Sequence, residues 1–423
     1  MALDAAKQGE YERFHDLAWR TVQTGPRNDP ALMYLLARAQ VLSGRPDDAL
    51  VMLKRLADMG VPATEALTDP DFARTRERPG WPAVAEAMAS AGAPAARRAA
   101  TPSTPPSPAS AKSGPAVPPD ANVGTASLPT DLMATSDVGR FSDGQFRPAG
   151  LAYDTVSRRF VLGDAQGRKL IVVGVGSEHA DDMVRAESAG FDEIATLDID
   201  EKRGDLWVAS TTGATGGSTL HRLQLVSGRP LSTYQVAPSI GATRLVGIAV
   251  QESGGIIALD GAGNRLLSLP RGSSNMTTAV TLKLSGATSV AAGGGGNDTV
   301  YVSHDAGIAR VELRSGSVTA LSTPRGLDLR GFDALRVHGN TLIGLQTTAA
   351  GVRQLVRLTL NTAGRAVRSA TVIDDRVANT RGLLSLSISG DDLYYLAADT
   401  GAAPSPAGVP PANQFVVRRL VLR

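Results

Sequence analysis

The chain has 423 residues, too many for one ordinary domain, with 43 Lys and Arg against 41 Asp and Glu, a formal charge of +2. That balance gives no global attraction to nucleic acid or to an anionic membrane surface, and no apolar run reaches the length that spans a bilayer. Cysteine is absent, which excludes disulfides and thiolate metal centres.

The opening MALDAAKQGEYER is polar and does not read as a signal peptide. Residues 1–92 carry helical periodicity. Leu32, Leu35, Leu36 and Ala39 fall on one face, and Ala49, Leu50, Leu53, Leu56 and Ala57 on the next. Gly44-Arg45-Pro46 breaks the pattern, with Pro46 placed to start the following helix. Tyr34, Leu36, Ala37, Gly44 and Ala49 stand where a tetratricopeptide repeat places its aromatic, leucine, small, turn-glycine and small-contact positions, although Gln40 replaces an aromatic. This part resembles about two degenerate tetratricopeptide repeats, and the resemblance implies a surface for a peptide or protein partner.

Residues 93–127 hold eight of the chain's 25 prolines amid Ala, Ser and Thr. With almost nothing to bury, the segment is predicted to be a disordered linker. A different periodicity follows over 128–423. GLAYDTVSRRFVLGD, from Gly150, has an alternating apolar strand, a polar turn and a second strand. The outline recurs in ATLDIDEKRGDLWVAS, VGIAVQESGGIIALD, TSVAAGGGGNDTVYVSH, DALRVHGNTLIGLQ and LSLSISGDDLYYLA. Leu151, Leu197, Ile248, Val290, Leu335 and Leu386 are matching positions, at intervals of 46, 51, 42, 45 and 51. Third strands follow each pair, as in KLIVVGV and RQLVRLTL. Units of about four strands at this period predict an all-β six-bladed propeller. The ring is expected to close by pairing the Leu128–Phe141 region with the last blade.

FRPAGLAYDTVSRRFVLGDAQGRKL, FDEIATLDIDEKRGDLWVAS, TVYVSHDAGIARVEL and FDALRVHGNTLIGLQ resemble the SMP-30/gluconolactonase-like six-bladed propellers, and more loosely the NHL type. The resemblance covers nearly all of 128–423. It implies a divalent metal held by carboxylate and amide side chains on the loops leading into the inner strands, where the ion polarises a lactone carbonyl. Together with the lack of cysteine it points to a periplasmic or extracellular protein.

The loops leading into the six matching strands carry Arg147, Asp192 with Glu193, Arg244, Ser285 with Gly286, Arg330 and Arg381, and Asp333 stands close by in the fifth unit. Arginine cannot ligate a cation and repels one. No catalytic residue, metal or cofactor is therefore expected, and a metal-dependent lactonase-like hydrolase is the alternative. Arg147, Arg244, Arg330 and Arg381, with Asp192, Glu193 and Asp333, form the candidate ligand site instead. Clustered guanidinium groups would select a carboxylate, phosphate or acidic peptide. The bland alternative is that each is solvated or paired with its own neighbour. GGGG at 293–296 lacks the Gly-Lys-Ser/Thr of a phosphate loop, and the five histidines show no metal spacing. Basic and acidic residues are interspersed, so nucleic acid is not an expected partner. The reading is a binding scaffold: helices for a partner protein, a propeller channel for an anionic ligand.

Overall fold

Asp29 starts the best-formed helix of the N-terminal region: its Oδ1 accepts from Ala31 N at 2.9 Å and Leu32 N at 3.1 Å, and Pro30 follows as the first helical residue. The helices are α1 (Ala2–Lys7), α2 (Tyr11–Thr24), α3 (Pro30–Leu42), α4 (Pro46–Asp58), α5 (Ala73–Arg76) and α6 (Trp81–Ala91). α2 packs on α3, α3 on α4, and α4 on α6. The computed structural model describes residues 1–26, 28–91, 128–213, 216–293, 298–375, 377, 385–398 and 414–422. The predicted linker lies outside them.

The remainder is six four-stranded antiparallel sheets. Their inner strands are Pro148–Asp154, Glu193–Asp200, Leu245–Val250, Ser289–Ala292, Phe332–His338 and Leu386–Ser389, each beside the next, with the last back against the first. The protein is thus a six-bladed propeller behind a short helical region. The six matching positions read from the sequence, Leu151 to Leu386, are all at most 2% exposed and fill the spaces between blades. The sixth sheet closes the ring: Thr135–Ser142 pairs with Gln414–Val421. Blade five takes an extra segment, with Asp131 N and Met133 N donating to Val372 O and Ile373 O, both at 2.9 Å.

Two structural devices have no counterpart in the sequence reading. The second strands of blades one and three end in buried aspartates. Asp164 Oδ1 accepts from Arg147 N at 3.2 Å and Gly167 N at 3.0 Å. Asp260 Oδ1 accepts from Arg244 N at 2.9 Å, Ala262 N at 3.2 Å and Gly263 N at 3.0 Å, while Oδ2 takes Arg265 Nε at 2.9 Å. Each fastens the backbone that leads into an inner strand. In blade five, Gln346 Nε2 does the same by donating to Asp328 O at 3.1 Å and Arg330 O at 3.0 Å.

The second device joins the two parts of the molecule. Rather than hanging as a tethered body, the helices share one hydrophobic core with blades one and two, running from Phe14, Trp19 and Leu53 to Val156, Leu206 and Val226. Trp19 Nε1 donates to Glu201 O at 2.5 Å, Gln23 Nε2 to the same oxygen at 2.7 Å, and Ser227 N to Asp48 Oδ1 at 2.9 Å. Arg55 donates to Val156 O, and Arg229 pairs with Asp47. Gly204 is required where it stands. Its φ is +67°, and a Cβ there would sit 3.0 Å from ring carbons of Trp19.

Candidate functional site

All six inner strands run the same way, so the loops leading into them lie on one face and the turns leaving them on the other. The described candidate residues from the sequence are on the first face. Arg147 is exposed; its Nη1 donates to Phe146 O at 3.2 Å and Gly144 O at 3.5 Å. Arg244 is exposed, its backbone pinned by Asp260. Arg330 is committed to Asp328, through Nε at 2.9 and 3.0 Å and Nη2 at 2.7 Å, and this guanidinium holds Asp328 below the usual carboxylate range. Asp192 Oδ2 accepts from Thr212 Oγ1 at 2.6 Å, and Glu193 is exposed. Asp333 accepts from Thr347 Oγ1 at 3.0 Å and lies 3.7 Å from Arg353. Arg381 lies outside the described residues. Among the described residues no hydrogen bond or ion pair joins any two of these positions.

The opposite end of the channel holds a different arrangement. In a strand, successive side chains alternate in direction, so the residue after each buried matching position faces the axis. These residues are Ala152, Asp198, Ala249, Ala291, Arg336 and Ser387. All six line one cavity of about 490 Å³. Four are small, and blades two and five, facing one another across the ring, supply the aspartate and the arginine. Arg336 Nη2 lies 4.0 Å from Asp198 Oδ1, beyond hydrogen-bond reach. Asp198 is held by Ile199 N at 3.0 Å and Val250 N at 3.3 Å, and Arg336 Nη1 donates to Leu335 O at 3.1 Å. Glu201, on the turn after the blade-two inner strand, lines the same cavity. Burial, then the nearby Asp198 charge, pushes its carboxyl up to about 7. Trp19 and Gln23 hold its carbonyl, so the helices fix one rim of this mouth.

The sequence contained the signal for this ring, because the matching positions were in register and the wall is one residue further on. The arginines, by contrast, stand on the loops before the strands.

A divalent metal of the kind the resemblance implies does not fit the residues present. Among the described residues arginine stands in three of the leading loops, Asp333 is bound by Thr347 and sits beside Arg353, and no three His, Asp or Glu stand together as ligands. Blade two also contains a serine–histidine pair, Ser210 Oγ to His221 Nε2 at 2.9 Å. Both are buried, Phe191 stacks edge-on against the ring, and burial pushes His221 down to about 4. This neutral pair packs blade two and has no access to a substrate.

No family model matches the chain, and no curated protein matches it. Several solved structures are similar in shape. One is a Bacteroides thetaiotaomicron protein of unknown function, 11% identical, covering 68% of this chain and 75% of that one at a TM-score of 0.49. Another is a Xanthomonas campestris gluconolactonase, 15% identical, covering 71% and 99% at 0.43. A third is the PQQ-bound aldose sugar dehydrogenase of Streptomyces coelicolor, 11% identical, covering 69% and 99% at 0.43. At these identities the likeness extends to no activity, and the propeller assignment rests on the six closed sheets themselves. The chain is a six-bladed β-propeller whose solved neighbours include gluconolactonase-like and sugar-dehydrogenase-like propellers.

Proposed function

We propose that the protein binds a small polar ligand bearing an anionic group in its channel, at the mouth rimmed by the helices. The observation that supports this is the Asp198–Arg336 pair set across an inner ring whose other four positions are small, in a cavity that Asp200, Glu201, Lys202 and Glu252 also line. A guanidinium on a strand is positioned by the pleat, and this one has donors to spare for a carboxylate or phosphate. Asp198 offers an acceptor for a ligand hydroxyl. The exposed arginines of the other face lack this positioning. Partner binding through the helices is the lesser part of the reading, since their inner faces are already packed on blades one and two.

A second reading is favoured by one feature. Glu201, its carboxyl pushed up to about 7 on the cavity that Arg336 also lines, suits general acid–base catalysis on a carbonyl substrate such as a lactone. Glu201 would take a proton from the attacking water, and Arg336 would bind the oxygen on which charge develops. No metal enters this scheme.

The test is a thermal-shift screen of carboxylates and phosphates, followed by calorimetry on any hit. Arg336→Ala should weaken binding about ten-fold or more, and added salt should weaken it in the wild type. Arg147→Ala and Arg244→Ala should bind normally. Loss of binding in those two with Arg336→Ala unaffected would return the site to the other face. Lactone hydrolysis abolished by Glu201→Gln would establish the second reading.

A further inference from the structure

A separate cavity of about 380 Å³ lies where the helices meet blades one and six. Val22, Leu32, Val138, Val156 and Val175 give it an apolar wall, and Tyr153 and Tyr394, with ring centroids 4.5 Å apart, add an aromatic side. Arg55, Arg158 and Arg419 line it too, with Asp29 and Asp392. The carboxylates are already committed. Asp29 starts α3 by accepting from Ala31 N and Leu32 N. Asp392 pairs with Arg419 at 2.7 Å and accepts from Tyr394 Oη at 3.3 Å. Beside the cavity, Asp154 accepts from Val156 N and Ser157 N, both at 3.0 Å, and lies 3.5 Å from Arg159.

With Arg159 and Asp154 included, four guanidinium groups stand against three carboxylates. The two arginines left without a carboxylate partner among the described residues are Arg55 and Arg158. Arg55 is half-buried and donates to neutral oxygens, Val156 O and Asn28 Oδ1. Burial pulls its guanidinium below the ordinary arginine range; Asp154 opposes this, and the charges of Arg158 and Arg159 add to it.

Arg158 stands where its backbone disfavours it. Its φ is +54°, at the last place of the turn 155–158 between paired Asp154 and Arg159. The matching turn of blade two, 201–204, ends in Gly204 at φ +67°. Arg168, the other arginine of blade one in this region at φ +52°, gives its Nε to Phe191 O at 2.7 Å. The Arg158 side chain, exposed at the rim, has no such bond among the described residues. An arginine held at such a φ without a partner in the fold, on a cavity with one surplus positive charge, points to a ligand that uses its guanidinium.

We infer that this junction cavity binds a monocarboxylate with a compact apolar body, its carboxylate between Arg55 and Arg158 and its body against Tyr153, Tyr394 and the valines. One surplus charge matches one carboxylate, and the apolar wall gives a bare inorganic anion nothing to bury. Arg55 comes from the helices, so an occupant binds only the docked arrangement, and docking and binding strengthen each other. The site is distinct from the channel, although Tyr153 lines both.

The experiment uses the full chain with benzoate as the probe, benzamide as the analogue without charge and acetate as the analogue without the body. Calorimetry should show one saturable benzoate site, with benzamide and acetate each about ten-fold weaker or more. Arg158→Gly removes the guanidinium and relaxes the backbone. Its thermal midpoint without ligand should equal or exceed that of the wild type, while benzoate binding weakens about ten-fold. Arg336→Ala, in the channel, should bind benzoate as the wild type does. No saturable benzoate binding, equal affinity for benzamide or acetate, undiminished binding in Arg158→Gly or a lowered midpoint in that variant would each overturn the inference. Benzoate binding lost in Arg336→Ala but kept in Arg158→Gly would also overturn it, by placing the ligand in the channel.

Discussion

The two ends of the propeller channel use the same residue type with opposite results. At the end where the inner strands begin, arginines stand on loops. Arg330 folds back on its neighbour Asp328, and Arg147 on the carbonyls of Gly144 and Phe146. At the end where the strands finish, Arg336 is part of a strand and faces Asp198 across the axis. A loop arginine finds the nearest partner that solvent and chain allow, whereas a strand arginine is aimed by the pleat. A count of charges near a channel therefore says less than the register of the strands that carry them.

The largest expected effect tests whether the beginning of the strands is a structural device. Asp260→Ala strips the acceptor from three backbone N–H groups and leaves Arg265 unpaired; urea unfolding should show a loss of ~3 kcal/mol. An unchanged midpoint would mean that water substitutes for the carboxylate, and the contrast between the ends would blur.

Next comes the helical rim of the far mouth. Gly204→Val places a β-branched residue at φ +67° against the Trp19 ring, and should cost ~2 kcal/mol. Acrylamide should then quench tryptophan emission more strongly as Trp19 leaves its seat. Quenching as in the wild type would show that the helices dock without this contact.

Docking should also depend on pH. Asp48 is buried and bonded to Ser227 N; burial pushes its carboxyl up to about 7 from an ordinary 3.8. Between these values the folded state holds a proton that the unfolded state has lost. Stability is thus fullest below about 4 and falls as pH rises through 7. The thermal midpoint should drop by about 3 °C from pH 5 to pH 8, and Asp48→Asn should flatten that slope. A slope unchanged in the variant would move the effect to another group, Glu201 first. The smallest effect is Arg330→Ala, whose exposed pair with Asp328 should leave the unfolding midpoint where it was.

Much of the propeller was legible because period-two alternation and a repeat interval of 42–51 residues mark every blade, and Leu151 to Leu386 all proved to be interblade contacts. Ring closure was legible for the same reason. The channel wall was one residue away from those positions and was passed over in favour of loops, whose side-chain directions no periodicity fixes. Asp164 and Asp260 were hidden because an acid at a strand end also looks like an ordinary turn residue. Docking of the helices was illegible for another reason. Trp19 and Leu53 satisfy a helical pattern whether their partner is another helix or a blade.

The strand that closes the ring, Thr135–Ser142, is made well before its partner Gln414–Val421; Arg418 meets Asp137 across 281 positions of sequence. At ordinary rates of translation the first strand waits roughly 15–60 seconds before its mate is synthesised. During that interval its backbone is an open edge, and so is the unfinished sixth blade. Two chains emerging side by side could each complete the other, giving an exchanged dimer with every native contact present. The bulge between Asp137 and Gly139 interrupts the regular pairing of that waiting edge, which makes it a poorer template for a stranger than for Gln414–Val421.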